Sequence, residues 1–343
     1  MPSPRLVIVT PVFEDRQAAS QLFRDIHAQF GADAFVVAVE DGSVREPLEV
    51  ASLAAAGAPG VILELKRNVG HQRAIAIGLG YVADHFPDAA ATVVMDSDGE
   101  DLPASIKPLL AVLAHDDVDV AVAERKSRVE SLRFRAFYVV YKLIFGLLTG
   151  RRIAFGNFMA LKPMALRRLS VMPEVWTHVA GSVLSSKLRV RGCPLDRGAR
   201  YAGRSKMNFV GLVLHGFKAL TVFAEDVLVR IGLACVLISA LAVLAAVIAV
   251  MLKVLGVATP GFLSTALGLL FLVVLQTGAL TLMTLMLSGV TKGGALAAGT
   301  YREYIARIVP SPVAPAVVVD SSLLATPLAG TRYDAAAGAG TDA

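Results

Sequence analysis

The stretch Thr92-Val93-Val94-Met95-Asp96-Ser97-Asp98-Gly99-Glu100-Asp101 decides the fold. Its first four residues are apolar or β-branched, which predicts a buried strand, and the strand ends in a cluster of carboxylates. Only one residue separates Asp96 from Asp98, so both carboxylates can converge on one hard cation whose other ligands are pyrophosphate oxygens. An isolated Asp-x-Asp is more often an ordinary acidic turn than a cation site. Here the surrounding sequence favours the cation site.

Short apolar strands alternate with helical patterns through the first part of the chain. The predicted strands are Leu6–Thr10, Phe35–Val39, Val61–Leu65, Thr92–Met95 and Val118–Ala123. This alternation predicts an α/β fold with a mostly parallel sheet, in which ligands bind beyond the carboxyl ends of the strands. A polar cluster follows almost every one of these strands. No GxGxxG or GxxxxGK[ST] motif occurs, which removes the sequence support for a classical dinucleotide-binding or P-loop site.

The carboxyl-terminal part of the chain is far more hydrophobic than the rest. Apolar residues make up 55% of the sequence, and the mean hydropathy is +0.62. Ile231–Leu252 and Phe262–Val290 contain no charged residue. A helix over the first of these runs is about 33 Å long, enough for a hydrocarbon core of about 30 Å. Two membrane spans are therefore predicted.

The flanking sequence predicts the topology of this hairpin. No signal-peptide pattern opens the chain, so the first domain is expected in the cytoplasm. Positive charges flank the spans on that side, as the positive-inside bias requires: Arg230, Lys292, Arg302 and Arg307. The predicted division is a cytosolic domain (1–225), a transmembrane hairpin (228–292) and a cytosolic tail (293–343) that is disordered from about residue 310. Small residues in the spans permit packing between subunits in a homo-oligomer: Gly232, Ala234, Gly268 and Gly278.

Two segments carry an excess of positive charge. Residues 125–152 contain eight Lys or Arg against one Glu, and residues 187–206 contain seven against one Asp. Nucleic acid is one partner for such patches. The first segment, however, is interleaved with apolar and aromatic residues, which favours a lipid headgroup region over nucleic acid. Helices at about 131–148 and 208–223 are therefore predicted to lie along the membrane, the alternative being core helices with a solvated basic edge.

Taken in chain order, these motifs resemble family 2 glycosyltransferases of the GT-A fold, and most closely the branch that acts on polyprenyl phosphates. The resemblance covers roughly residues 5–225. Its five motifs are Thr10-Pro11-Val12-Phe13-Glu14, Glu40-Asp41-Gly42-Ser43, Asn68-Val69-Gly70-His71, Asp96 to Pro103, and Arg200-x-x-Gly203-x-Ser205-Lys206. The order and number of these motifs make the signal specific.

The resemblance implies a membrane-anchored, inverting and metal-dependent glycosyltransferase of the bacterial inner membrane. It would move a sugar from a nucleotide diphosphate, expected to be a UDP-sugar, to polyprenyl phosphate at the cytoplasmic face. Asp96 and Asp98 would hold Mg²⁺ or Mn²⁺. The implied catalytic set is Asp98, Asp96, Arg200, Lys206 and Asn157. The implied donor-binding set is Pro11, Phe13, Glu14, Glu40, Asp41, Asn68, Asp96, Ser97, Asp98, Glu100, Arg125, Arg128 and Ser205.

The sequence departs from the family pattern at three positions. Glu40 replaces the first Asp of Asp-Asp-Gly-Ser, and Glu100 stands where Gln is usual. Asn157 stands where the polyprenyl-phosphate branch often has Asp, and an amide cannot act as a general base. A phosphate acceptor is already an anion and needs no base, so Asn157 favours such an acceptor; for a hydroxyl acceptor, His178 and Asp101 are the candidate bases.

Three other functions fit the same residues. One is a glycosyltransferase that acts on a hydroxyl of a glycolipid or polysaccharide. A second is a nucleotidyltransferase, although the Gly-rich loop typical of that class is absent. The third is a non-catalytic membrane protein that binds nucleotide sugars. The Asp96/Asp98 pair and the Arg200-to-Lys206 motif favour catalysis over this last function.

Overall fold

The computed structural model describes residues 4–125, 132–151, 155–202, 209–257, 259, 261–294 and 301–313. Its first elements are β1 (Leu6–Val12), α1 (Arg16–Phe30), β2 (Ala34–Glu40), α2 (Val50–Ala55), β3 (Gly60–Leu65), α3 (His71–His85), β4 (Ala91–Val94), α4 (Ile106–Leu113) and β5 (Val120–Arg125). Those that follow are α5 (Leu132–Thr149), β6 (Phe155–Leu161), α6 (Pro163–Ser170), α7 (Val179–Ser185), β7 (Val190–Leu195), α8 (Phe209–Thr221), α9 (Ala224–Val254), α10 (Phe262–Gly294) and β8 (Ile305–Pro310).

The strands form one sheet in the order β7-β5-β6-β4-β1-β2-β3-β8. Strand β1 pairs in parallel with β2 and β4, β2 with β3, and β5 with β7. The remaining pairs, β4 with β6, β5 with β6 and β3 with β8, are antiparallel. Every residue of β1, β2 and β4 is buried, as expected of strands covered on both faces. The predicted mostly parallel α/β sheet is confirmed.

Alternate side chains of β1 enter two separate cores. Val7 and Val9 pack on the side of α3 and α7, whereas Ile8 packs on the side of α1 and α4. Helices cover both faces of the central strands. Because β1, β2 and β4 run parallel, the loops at the carboxyl ends of these strands meet at one edge of the sheet.

Strand β8 differs from the sequence-based expectation. Residues 293–343 are predicted to form a tail, but Ile305–Pro310 pairs with β3, with Ile62 opposite Val309. Arg307 adds a bidentate ion pair to Glu64, with Nε–Oε2 and Nη2–Oε1 distances of 3.0 and 2.8 Å. The pairing of this strand with β3 has no local signal in the sequence, because the two strands lie more than 200 residues apart in the chain. Disorder is predicted from about residue 310, whereas Pro310 ends this strand; the part of that segment from residue 314 onward lies outside the described residues.

Helices α9 and α10 match the two predicted spans. Ala224–Val254 has a mean hydropathy of 3.0 and Phe262–Thr284 of 2.1, so both could cross a membrane by length and composition. The buried residues of α9 recur every seven positions, at Cys235, Ala242 and Ala249, which is the spacing of coiled-coil packing. Of the small residues predicted to pack between subunits, Gly232 instead faces Thr284 of the same hairpin, while Gly268 and Gly278 face open space.

Two arginines join the base of the hairpin to the α/β domain. Arg230 of α9 donates from Nη1 to the Leu147 carbonyl, at 3.1 Å. Arg151 donates to the Leu184 carbonyl and lies over the Phe223 ring. Both carbonyls belong to the last turn of a helix, where a cation is stabilising. The predicted helices 131–148 and 208–223 are present as α5 and α8, packed together through Phe145, Ala219 and Phe223.

Asp119 forms a bidentate ion pair with Arg189, and its removal should destabilise the fold. The carboxylate is 4% exposed and accepts hydrogen bonds from the N, Nε and Nη2 atoms of Arg189, at 2.9, 3.0 and 2.7 Å. These bonds lower the pKa of Asp119 from 3.8 to about 2. We expect Asp119→Asn to lower the free energy of unfolding by about 2 kcal/mol at pH 7, because the charged hydrogen bonds to Arg189 are weakened. The loss is not larger because the guanidinium is partly solvated.

The pH dependence checks this prediction. The folded pKa is depressed, so the contribution is fully present above the unfolded value near 3.8 and is lost as pH falls towards 2. Denaturant unfolding of the wild type and Asp119→Asn in detergent should therefore give a difference that shrinks between pH 4 and pH 2. A difference that stays constant over this range would contradict the assignment.

Candidate active site

The polar segments predicted from the sequence meet at the carboxyl edge of β1, β2 and β4. Asp96 and Asp98 follow β4, and Glu40 and Asp41 end β2. Strand β6 runs antiparallel to β4, with Val94 opposite Met159. The beginning of β6, which carries Asn157, therefore lies at the edge where β4 ends.

Two buried carboxylates at the end of β2 hold the neighbouring loops. The Oε1 and Oε2 atoms of Glu40 accept from the backbone N–H groups of Ser43 and Leu48, at 2.8 and 2.7 Å. Asp41 accepts from the N–H groups of Val69 and Gly70, at 2.7 and 3.0 Å. Burial raises the pKa of Asp41, and the two N–H donors oppose that effect. Both residues were predicted to contact the nucleotide, and the structure uses their oxygens to shape the loops of that site.

Glu14 links the loop after β1 to the loop after β2. Its carboxylate accepts from the backbone N–H groups of Val44, Arg45 and Glu46. These donors lower the pKa of Glu14. Its own N–H donates to Ser43 Oγ at 2.7 Å. Among the other predicted donor contacts at this edge, Phe13 and Asn68 are exposed, whereas Pro11 and Ser97 are buried.

Gly42 brings two of these loops together. Its φ is +69°, and a Cβ at this position would lie 2.5 Å from the backbone nitrogen of Asn68. Only glycine fits such an approach in the left-handed region. The Asn68 motif is thereby held next to the Asp41 motif.

Two arginines form ion pairs with the acidic turn after β4. Asp98 Oδ2 lies 2.5 Å from Arg200 Nη2, and Oδ1 accepts from the Glu100 N–H at 3.0 Å. Glu100 pairs with Arg197, and its Oε1 is 3.4 Å from Arg200 Nε. Burial and the Asp96 carboxylate raise the pKa of Asp98, against the effect of the arginines. Asp101 accepts from the Asp96 N–H at 3.0 Å, which fixes the turn.

Residues 197–202, after β7, lie across this turn. The N–H groups of Gly198 and Tyr201 donate to the carbonyls of Glu100 and Asp98, both at 2.9 Å. The Tyr201 ring covers Gly99, and its hydroxyl donates to Asp25 of α1 at 2.5 Å. This backbone pairing brings Arg200 onto Asp98.

His71 lies between the acidic turn and Asn157. Its Nε2 is 3.2 Å from Asp96 Oδ1 and 3.0 Å from Asn157 Nδ2. Burial lowers the pKa of His71, but the Asp96, Asp98 and Asp101 carboxylates outweigh it, so that the pKa is raised overall. His71 ends one of the five motifs, but no role is predicted for it from the sequence. Gln72, which contacts Asn157, was missed.

The two candidate bases have structural roles. His178 is 4% exposed and precedes α7, where its Nδ1 accepts from the Gly181 N–H at 2.9 Å. Asp101 is 7% exposed and its Oδ2 binds the backbone of the turn. Of the other residues predicted for this site, Arg125 ends β5, whereas Arg128, Ser205 and Lys206 lie outside the described residues.

The donor set fits a divalent cation that arrives with a diphosphate. Within the described ranges, no group of three or more His, Cys, Asp or Glu residues is arranged to hold a metal ion. Mg²⁺, however, is commonly held by one or two carboxylates together with substrate phosphates and water. Asp96 and Asp98 are the carboxylates predicted for that role, and each contacts a basic group, His71 and Arg200 respectively.

Comparison with known proteins identifies the domain. A model of glycosyl transferase family 2 matches residues 7–176. No curated protein gives a significant match. Glucosyl-3-phosphoglycerate synthase from Mycobacterium tuberculosis, solved with Mn²⁺, UDP-glucose and phosphoglyceric acid, aligns at a TM-score of 0.47 and 14% identity, over 66% of this chain and 79% of that chain. The same enzyme with Mg²⁺ and UDP aligns at 0.46 and 11% identity, over 65% and 79%.

Proposed function

This chain belongs to glycosyl transferase family 2 through its residues 7–176, and we propose that it transfers a sugar from a UDP-sugar to polyprenyl phosphate. The transfer is inverting and takes place at the cytoplasmic face of a bacterial inner membrane. The observation that carries the proposal is the acidic turn with Asp96 and Asp98, beside which Arg200 and Asn157 converge from distant parts of the chain.

Each part of this cluster has a role in the proposed reaction. Asp96 and Asp98 would hold Mg²⁺ or Mn²⁺, which neutralises charge on the leaving diphosphate. The guanidinium groups of Arg197 and Arg200 lie next to these carboxylates, and their planar donor geometry suits phosphate oxygens. Arg128, Ser205 and Lys206 stay predicted contacts to the donor and acceptor phosphates.

The surroundings of Asn157 support a phosphate acceptor. His178 and Asp101 serve the backbone, and position 157 offers an amide. A phosphate is already charged and attacks without losing a proton, so it needs alignment rather than a base. A hydroxyl acceptor is the second candidate, and His71 favours it. The imidazole of His71 lies 3.2 Å from Asp96, and a histidine paired with a carboxylate can act as the general base that a hydroxyl needs.

The attachment of the hairpin supports a membrane anchor with both ends on one side. Helix α9 follows α8 directly, and β8, which follows α10, is part of the same sheet as β1. The segments before and after the two spans belong to one folded domain. Both ends of the hairpin must therefore lie on the same side of the membrane. Helices α5 and α8 expose apolar side chains next to the hairpin base, among them Leu143, Leu147, Leu214 and Phe217. Such a surface suits the lipid interface.

Sugar transfer by the purified, detergent-solubilised protein tests the proposal. Labelled nucleotide sugars would be supplied with and without undecaprenyl phosphate, and with EDTA. The expected product is a labelled, acid-labile lipid that requires both polyprenyl phosphate and metal. Transfer to a glycolipid hydroxyl without polyprenyl phosphate would replace the proposed acceptor. Donor binding with no turnover on any acceptor would favour a non-catalytic role.

A further inference from the structure

Helix α10 packs one side against α9 and leaves a second side uncovered. The hydroxyl oxygens of Thr277 and Ser239 of α9 are 2.5 Å apart, and Thr284, seven residues after Thr277, is 7% exposed. This side of α10 faces α9. Gln276 and Met283, each one position earlier, point about 100° away from it, because a helix has 3.6 residues per turn. Both side chains are exposed.

The uncovered side has the residue spacing of a helix that packs along its length against a partner. Its residues follow one another at alternating intervals of three and four, as the a and d positions of a coiled coil do. These residues form the outer face of α10, and all are exposed: Leu269, Leu272, Gln276, Ala279, Met283 and Met286. Gln276 is its one polar member and lies near its middle.

Gln276 lies deep in the hydrocarbon layer when α9 and α10 cross a membrane as proposed. Its depth follows from the contact of its neighbour Thr277 with Ser239. Ser239 is nine residues after Arg230 and fourteen before Lys253, which bracket the uncharged run of α9. At about 1.5 Å per residue these separations are about 14 and 21 Å, and the hydrocarbon core is about 30 Å thick. The amide of Gln276 is therefore near the centre of the membrane, away from water.

At this depth the amide of Gln276 needs a hydrogen-bonding partner. The hydroxyls of Thr277, Thr281 and Thr284 bond to backbone carbonyls of α10. Gln276 has no partner among the residues that the structure describes. Lipid tails offer neither donors nor acceptors, and an unpaired amide in hydrocarbon is costly, so such side chains bond across helices. The outer face therefore suits a protein helix better than lipid.

A second copy of this chain meets the requirement. All copies have the same orientation in the membrane, so two α10 helices related by a twofold axis along the membrane normal run parallel. Gln276 then lies opposite Gln276 of the second copy at the same depth. An amide has both a donor and an acceptor, so two amides satisfy each other. In parallel coiled coils, one polar residue at such a position sets the register.

We propose that the outer face of α10 is a dimer interface within the membrane, and that the pair of Gln276 amides sets its register. The inference goes beyond the proposed reaction and depends only on the membrane position of the hairpin. The two α/β domains of the dimer lie on the same side of the membrane, and each keeps its own acidic turn.

Cysteine cross-linking in intact membranes locates the interface. Both native cysteines would be replaced by alanine, and single cysteines introduced on the outer face as Leu272→Cys or Ala279→Cys. Phe271→Cys and Gly278→Cys are controls at the same depth, because both positions are exposed but lie off the outer face. We expect at least about fivefold more disulfide-linked dimer from the outer-face cysteines, because a disulfide needs Cα atoms within about 7 Å.

Gln276→Leu tests the role of the amide, because leucine has a similar size and no hydrogen-bonding group. We expect it to raise the dimer dissociation constant about tenfold, measured by energy transfer between labelled copies in lipid vesicles. Gln276→Asn keeps an amide and should raise the constant less than about threefold. Gln29→Leu is the matched control. It removes an exposed amide of α1, outside the hairpin, and should leave the constant unchanged.

The outcomes separate this inference from the proposed reaction. Equal cross-linking on and off the outer face, cross-links to a different protein in place of the dimer, or an unchanged dissociation constant in Gln276→Leu would overturn the interface. Release of the wild type from membranes by carbonate washing would overturn it together with the proposed anchor. Dimerisation without sugar transfer would sustain the inference and reject the proposed reaction, and transfer by a monomer would do the reverse.

Discussion

Asp98→Asn is expected to abolish sugar transfer, with a loss of at least about 10³-fold in kcat. The side chain lies at the centre of the acidic turn, 13% exposed, with its Oδ2 bound to Arg200 at 2.5 Å. Asparagine has the same shape but carries no charge. The variant therefore loses both the binding of the cation and the ion pair with Arg200. Initial rates at saturating Mn²⁺ and Mg²⁺, together with Mn²⁺ binding followed by electron paramagnetic resonance, measure the two losses.

Asp117→Asn is the matched control for this substitution. Asp117 is an exposed carboxylate that pairs with Arg191 of β7, outside the acidic turn. Its replacement removes the same charge and should leave both rate and Mn²⁺ affinity unchanged. If Asp98→Asn keeps more than about a tenth of the wild-type rate, the cation is held elsewhere.

Arg200→Ala is expected to have opposite effects on turnover and on metal binding. We expect kcat to fall about 10²-fold, because the donor phosphates lose a guanidinium partner. In the absence of nucleotide, Mn²⁺ should bind about fivefold more tightly, because Arg200 Nη2 lies 2.5 Å from the Asp98 oxygen that the cation needs and like charges repel at that distance. The same resonance titration measures this affinity.

Arg191→Ala serves as its control. It removes one positive charge from the same segment of chain, at an exposed ion pair with Asp117, where solvent screens its field. Weaker Mn²⁺ binding in Arg200→Ala than in Arg191→Ala would show that Arg200 supports the cation site instead of competing for it.

The parts of this protein that could be predicted from the sequence are those with local signals. Apolar runs that end in polar residues marked β1 to β5, and uncharged runs marked the two long helices. The Asp96 and Asp98 pair is visible in three consecutive letters. Motif resemblance also placed Arg200 near Asp98, although 102 positions separate them.

The remainder depends on partners that the sequence does not indicate. Glu40 and Asp41 appear as two acidic residues, but only the folded loops show that backbone N–H groups use their oxygens. Gln72 lies within a helical pattern, and its contact with Val179 spans 107 positions. Asp25 is one of several charges on α1, and its contact with Tyr201 spans 176 positions. Side-chain orientation at such distances is a property of tertiary packing.

The position of β8 sets an order of assembly during synthesis. Among the described strands, the one that pairs with the outer edge of β3 is β8, which follows both apolar helices in the chain. As the protein leaves the ribosome, the rest of the sheet can form while this edge stays open. An open edge is a template for pairing with other chains. A polypeptide that stops after the second apolar helix would therefore carry an aggregation-prone edge at β3. Once translation has passed Pro310, β8 can pair with β3 and cover that edge.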